Sequence, residues 1–165
     1  ANRPTKDARV LEAMDAGVRD ADKAMRQQID TGSGWVSQAA FKNAMMFERA
    51  FVDAGGLMAA GVDPTGIGGA LAGFGDQRNY ELFIEAGFTP AQAVQIMTLN
   101  GAKILGVQQT LGTVEAGKLA GLGVLRGDLT ADPSVIRSPT IVFKDGVGYD
   151  SAKLIASVQG RVGVN

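Results

Sequence analysis

Leu57-Met58-Ala59-Ala60-Gly61-Val62-Asp63-Pro64-Thr65-Gly66 is an apolar run that closes on a carboxylate and opens into a glycine-rich loop. A short apolar run bounded by turn residues predicts a buried strand. A strand that delivers an acid at its C-terminal end is how an α/β barrel presents a catalytic or metal-binding group. Taken alone, the pattern leaves an alternative open, because a carboxylate after a strand is often only an N-cap or a turn former. Metal chemistry also needs several ligands, and this 165-residue chain has no histidine and no cysteine, the commonest nitrogen and sulfur donors.

Upstream of that stretch, Ser37 can cap a helix whose inner face holds Ala40, Phe41, Ala44, Met45, Phe51 and Val52, ending at Gly55-Gly56. Helix, double glycine, apolar strand and acid form the α-then-β half of a βα unit. Before it, Thr5 to Ala16 reads as a helix with Thr5 as N-cap. Gly17 interrupts that helix, and Val18, Ala21, Met25 and Ile29 resume the period. Thr31-Gly32-Ser33-Gly34 is a loop. Trp35, Phe41, Phe47 and Phe51 read as packing residues rather than a binding box, and Lys42 and Arg49 as a solvated helix face.

Downstream, Asn79 to Ala86 is helical, with Tyr80, Phe83 and Ile84 apolar and Gly87 as the stop. Thr89-Pro90-Ala91-Gln92 carries a capping box with proline at the first helical position. Asn100 is expected to cap a second short helix that ends at Gly106. Beyond Leu111 the texture changes to short β-type runs at 112–114 and 122–125. A better strand runs from Pro139 to Lys144, Asp145-Gly146 makes a two-residue hairpin turn into Val147 to Tyr149, and Ser151 to Val158 forms a small amphipathic helix. The division expected is an α/β segment over 1–110, β strands over 111–150, and a helix and tail over 151–165.

Composition narrows the function classes. Hydrophobic residues make up 45% and charged residues 20%, which fits one domain with a sizeable core. No apolar stretch approaches the roughly 20 residues that cross a membrane. The first six residues are polar and do not resemble a signal peptide. With 16 basic against 17 acidic residues, nothing points to nucleic acid or an anionic membrane as partner. The absent cysteines exclude disulfides, zinc ribbons and thiol catalysis, and the absent histidines exclude triads. The compartment stays open, with the cytoplasm favoured over the periplasm or secretion. Glycine is the outlier at 23 residues, about twice the usual share of roughly 7%.

Two glycine-rich segments imitate nucleotide motifs. Gly112-Thr113-Val114-Glu115-Ala116-Gly117-Lys118 has P-loop spacing, but Leu119 stands where Ser or Thr must hold magnesium. Glu115 would also put a negative charge among the phosphates. A β-turn exposing Lys118 is the better reading. Gly66-Ile67-Gly68-Gly69 approximates a dinucleotide fingerprint, yet Leu71 occupies the third glycine position. It reads as a mobile loop.

The order of segments is more specific than any one of them. Ala59-Ala60-Gly61-Val62-Asp63-Pro64-Thr65-Gly66 resembles the segment after the eighth barrel strand in the amidohydrolase superfamily, in its imidazolonepropionase-like and prolidase-like (Xaa-dipeptidase) branch. Gly87-Phe88-Thr89-Pro90-Ala91-Gln92-Ala93 and Thr98-Leu99-Asn100-Gly101-Ala102-Lys103-Ile104-Leu105-Gly106 resemble that family's "GLTPAEAL…TLNPAKLLG". Leu111 to Ala120 is similar to its "LGSIEPGKLAD" turn, and Val142-Phe143-Lys144-Asp145-Gly146 with Tyr149-Asp150 to its closing hairpin. The matches are collinear over 45–160. Val62 replaces a usual Thr, and Gly121 and Gly123 stand where Asp and Val are typical; two glycines weaken a strand.

The resemblance implies a fold: the C-terminal part of a (β/α)₈ TIM-type barrel, with its last strand and flanking helices, plus strands of a small composite β-sandwich. It implies hydrolysis of a C–N bond in an amide, dipeptide or cyclic amide by metal-activated water. One or two divalent metals, zinc first among them, would be held mostly by histidines and a lysine upstream. Asp63 corresponds to the family's last metal ligand and proton shuttle, and Thr65, Gly66, Gly68 and Gly69 would border the substrate. One barrel strand of eight cannot bury itself. The expected partner is therefore the N-terminal part of the same enzyme, as a second chain or across a nick near Ala1 to Pro4. Beside it stand a small-molecule or peptide-like substrate and a homo-oligomer. The alternative is a docking or assembly module that keeps the fold without a metal site.

Overall fold

The computed structural model describes residues 8–31, 37–64, 71 and 73–162. The expected cap Thr5, the aromatic Trp35, and most of the loops at 31–34 and 65–75 lie outside them. Helices α1 (Ala8–Ala13) and α2 (Ala16–Asp30) open the chain. The break between them falls at Met14-Asp15 rather than at Gly17. The Asp15 carboxylate accepts from the N–H groups of Gly17 and Val18 at 2.9 and 3.1 Å, so Gly17 lies inside the first turn of α2, where a capping acid satisfies its donor.

Helix α3 (Gln38–Asp53) begins where expected, with the Ser37 hydroxyl accepting from Ala40 N–H at 3.1 Å. It ends in a Schellman turn: Gly55, at φ +88°, donates to the Val52 carbonyl and Gly56 to that of Phe51. The same device ends α4 (Phe74–Glu85), where Gly87 (φ +91°) donates to Ile84 and Phe88 to Phe83. There Phe83 and Phe88 meet edge-to-face at 5.6 Å, supplying the hydrophobic contact that accompanies this motif.

The capping box of α5 (Pro90–Gln95) is formed, with Gln92 N–H donating to Thr89 Oγ1 and Thr89 N–H to Gln92 Oε1. Asn100 does not cap a separate helix. The chain runs from α5 through a π-helical turn (Ile96–Asn100) into α6 (Gly101–Ile104), and Gly106 at φ +72° ends it. Tyr80, Phe83, Phe88, Ala93 and Ile96 form the core, joined by Val52, Met58, Ala60, Leu129 and Ile136.

Two expectations fail for one reason. Residues 57–62 are neither helix nor strand and join no sheet among the described residues, so the expected buried barrel strand is not formed. Helix α3 has no buried residue, and Phe47 is 73% exposed, with Phe41 and Phe51 also exposed. A gap of about 240 Å³, lined by Phe41, Ala44, Met45, Met58, Ala60 and Leu82 among others, separates α3 from the 57–62 segment and α4. A strand pairs and a helix face buries only when neighbours are there to cover them.

The β segment holds one three-stranded antiparallel sheet of order β1 (Leu122–Leu125), β2 (Pro139–Lys144), β3 (Val147–Asp150). Leu122 faces Phe143 and Val124 faces Ile141, and the register slips between Val124 and Leu125, a bulge next to the weakening glycine Gly123. Lys144 pairs with Val147 around Asp145-Gly146, at φ +52° and +83°, the backbone of a type I′ hairpin. The expected β run at 112–114 is instead a turn. Gly112 (φ +96°) presses there on α6 and the π turn, where a Cβ would meet Ala102 Cβ at 2.8 Å and Leu99 Cα at 3.0 Å.

Lys118 is not the exposed turn residue expected. Its side chain is 13% exposed, and Nζ donates to the Gln108 carbonyl at 3.0 Å and to Thr113 Oγ1. A 3₁₀ helix (Pro133–Arg137) bridges β1 and β2 and packs on α4, and α7 (Ser151–Ser157) covers β2 and β3. The first and the last described segments meet. Met14 pairs with Val162 in a parallel bridge, Gly160 N–H donates to Glu12 O at 2.8 Å, and Val10, Ala13 and Met14 are almost wholly buried.

Candidate functional site

Asp63 lies at the end of the 57–62 segment, exposed, with Pro64 after it. Its φ is +44°, in the left-handed region that non-glycine residues seldom adopt and that a residue before proline also avoids. Asp tolerates this region better than most side chains. Only one other described non-glycine residue shares it: Asp145, whose type I′ turn requires it. No hairpin turn accounts for Asp63. A backbone held there costs about 1–3 kcal/mol and persists only where its surroundings enforce it.

Two asparagines hold the segment that leads to Asp63. Asn100 Nδ2 donates to the Met58 carbonyl at 2.8 Å, and Asn79 Nδ2 to the Gly61 carbonyl at 3.0 Å. In a barrel, neighbouring strands would satisfy carbonyls along such a segment. Here side chains from the π turn and from α4 satisfy them. Met58 and Ala60 meanwhile face the core, so alternate residues anchor the segment and its end projects the acid outward.

The sequence reading did not identify Asn79 and Asn100 as supports of this segment. Asn is unfavourable inside a helix because its amide competes for backbone groups. An Asn within a helical stretch therefore signals a long-range partner, but not which one. Thr65, Gly66, Gly68 and Gly69 lie outside the described residues, so no geometry joins them to Asp63. Among the described residues no three His, Cys, Asp or Glu side chains come together. The donor chemistry of Asp63 suits one position in a metal site, and the remaining ligands would have to come from elsewhere.

Of the two nucleotide-like segments, the described one is structural. Lys118 is spent on Gln108 and Thr113, and no helix follows it to receive a phosphate. The Thr113 hydroxyl, then the Lys118 charge, holds the Glu115 carboxyl below its ordinary pKa. No helix among the described residues is long and apolar enough to cross a membrane.

Comparison with known proteins bears on the family and the fold. The model of the amidohydrolase family matches residues 12–148. Among solved structures, the chain is similar to a Xaa-Pro dipeptidase with methionine bound in its active site, at 27% identity and a TM-score of 0.57. That match covers 68% of this chain and 26% of that one. It is also similar to a putative prolidase from Bifidobacterium longum, at 25% identity and a TM-score of 0.57, over 79% of this chain and 34% of that one. The chain thus spans about a quarter to a third of these structures. No curated protein matches it. With a family match across most of its length, on a mixed helical and stranded fold that corresponds to part of a barrel enzyme, the chain belongs to the amidohydrolase family.

Proposed function

We propose that this chain is the C-terminal portion of a metal-dependent hydrolase that cleaves a C–N bond in an amide, dipeptide or cyclic amide. The observation that carries the reading is Asp63: an exposed carboxylate in a left-handed backbone conformation, ending an anchored segment. Likeness to a Xaa-Pro dipeptidase and to a putative prolidase favours a dipeptide among the three substrates.

Asp63 would serve as one ligand of a divalent metal, zinc expected, with one or two ions held otherwise by residues upstream of this chain. Such a metal supplies a water with a pKa near 7. The Asp63 carboxylate would serve as the general base and, once protonated, as the acid that gives its proton to the leaving nitrogen. Residues 65–69, with Thr65, Gly66, Gly68 and Gly69, would border the substrate. The 1–110 segment would close the barrel, and the sheet in 111–150 would contribute to a composite β-sandwich, followed by the helix and tail at 151–165. The exposed face of α3 and the unpaired segment at 57–62 support an N-terminal part as the partner. Alone, the chain is expected to catalyse nothing.

In the complete enzyme, Asp63→Asn should abolish turnover of a dipeptide and amide series and lower bound metal, measured by elemental analysis, while assembly survives. Undiminished turnover would sink the catalytic reading and favour a docking module. A cooperative, monomeric unfolding transition of the isolated 165 residues would remove the need for the partner.

A further inference from the structure

Gly61 stands two residues before Asp63 and has no side chain to anchor it; among the described residues beyond its chain neighbours, no atom lies within 4 Å of where its Cβ would be. Its carbonyl, however, is held by Asn79 Nδ2 at 3.0 Å. Asn79 is half-buried in α4, and that helix is fixed just beyond it. Next to Asn79, Tyr80 is fully buried and donates its phenol O–H to the Leu129 carbonyl at 3.3 Å. One position further, Glu81 closes on Arg137 at 2.5 Å. An amide on a locked helix thus grips a glycine two residues before a strained acid. A glycine released at this point would loosen the backbone that leads into the left-handed conformation of Asp63.

We propose that Asn79 is a positioning residue for Asp63, setting the direction of its carboxylate through the Gly61 carbonyl. The inference rests on the reading of Asp63 as the proton-transferring acid and adds a residue that touches neither substrate nor metal. Asn100 grips the other end of the same segment at Met58, five residues from Asp63, and governs its seating rather than the aim of the acid. Positioning of this kind matters because misplacement by a fraction of an ångström weakens proton transfer without weakening substrate binding.

The test compares Asn79→Leu, Asn79→Gln and Asp63→Asn in the complete enzyme. Asn79→Leu removes the donor and keeps the volume. It should lower kcat about tenfold, the scale of one hydrogen bond to a reacting geometry, leave KM unchanged, and displace the acid limb of the kcat–pH profile. Asn79→Gln, which keeps an amide donor, should recover most of kcat. If Asn79→Leu does not fold, Asn79→Ala is read by the same criteria. Unchanged kcat and pH profile in a folded Asn79 variant, beside an inactive Asp63→Asn, would overturn the positioning role alone. An active Asp63→Asn would overturn the reading of Asp63 and the positioning role with it.

Discussion

Arg137, in the 3₁₀ helix of the β segment, closes on Glu81 in the middle of α4 at 2.5 Å, with the side chains 13% and 7% exposed. The second oxygen of Glu81 takes Arg78 at 3.1 Å, Arg78 continues to Glu85 at 2.6 Å, and Arg9 of α1 donates to the Arg137 carbonyl. One buried carboxylate therefore ties α4 to the 3₁₀ helix, whose backbone in turn holds α1. A buried pair adds little net stability compared with a hydrophobic replacement, but losing one partner strands the other charge.

Glu81→Gln should accordingly destabilise the complete enzyme by about 3–5 kcal/mol, because it leaves two arginines facing a neutral amide. The double variant Glu81→Leu with Arg137→Met should cost less than the sum of its single changes. Urea unfolding in a double-mutant cycle measures the coupling; additive losses would mean that the pair does not act as a unit.

Gly87 and Gly112 both have positive φ, but their surroundings differ. Nothing lies within 4 Å of a Cβ at Gly87, so Gly87→Ala adds only backbone strain, about 1 kcal/mol. At Gly112 a Cβ also meets Ala102 and the Leu99 backbone, raising the cost to about 3 kcal/mol. Scanning calorimetry should rank Gly112→Ala well below Gly87→Ala in melting temperature; equal values would contradict the close approach.

Lys118→Met removes the donor that serves the Gln108 carbonyl and the Thr113 hydroxyl. The loss should be about 1–3 kcal/mol in denaturant unfolding. Because the lysine is structural, titration calorimetry with magnesium-ATP should give no binding heat for either the parent or the variant. Binding that the variant loses would restore the phosphate-loop reading.

Asp128 accepts from Thr130 Oγ1 at 2.6 Å and from Thr130 N–H at 2.7 Å. The Thr130 hydroxyl first, and then its backbone N–H, holds the Asp128 carboxyl below its ordinary range. A depressed folded pKa means that the stabilisation is complete above the unfolded value, near 3.9, and is lost as pH falls through the lower folded value. Carbon-13 titration of the carboxyl should place the Asp128 midpoint below 3.9, and Thr130→Val should move it upward. An unmoved midpoint would remove Thr130 as the cause. The same turn supplies Leu129 to the core, where burial and then the Asp128 charge keep the Tyr80 phenol protonated.

Much of the local structure was legible in the residues themselves. The Ser37 cap, the Thr89–Gln92 capping box, the stops at Gly55, Gly87 and Gly106 and the Asp145-Gly146 hairpin all act within six consecutive residues. Such signals do not depend on what lies elsewhere in the chain. The break before α2 was misplaced by two residues because Asp15 competes with Gly17 as punctuation, and a capping carboxylate prevails over a glycine that a first turn tolerates. The family, too, could be read from the order of short segments.

The sequence by itself therefore determined the family, the caps at Ser37 and Thr89, the turns at Gly55, Gly87 and Asp145-Gly146, and Asp63 as the acid at the end of the apolar run. Only the tertiary structure decided what Asn79, Asn100, Lys118, Glu81 and Arg137 do. Asn79 reaches Gly61 across 18 positions, Asn100 reaches Met58 across 42, and Arg137 meets Glu81 from a different segment. A polar side chain states in sequence that it needs a partner, since burial without one is costly. Which partner it finds depends on how helices pack, and that choice is made in three dimensions.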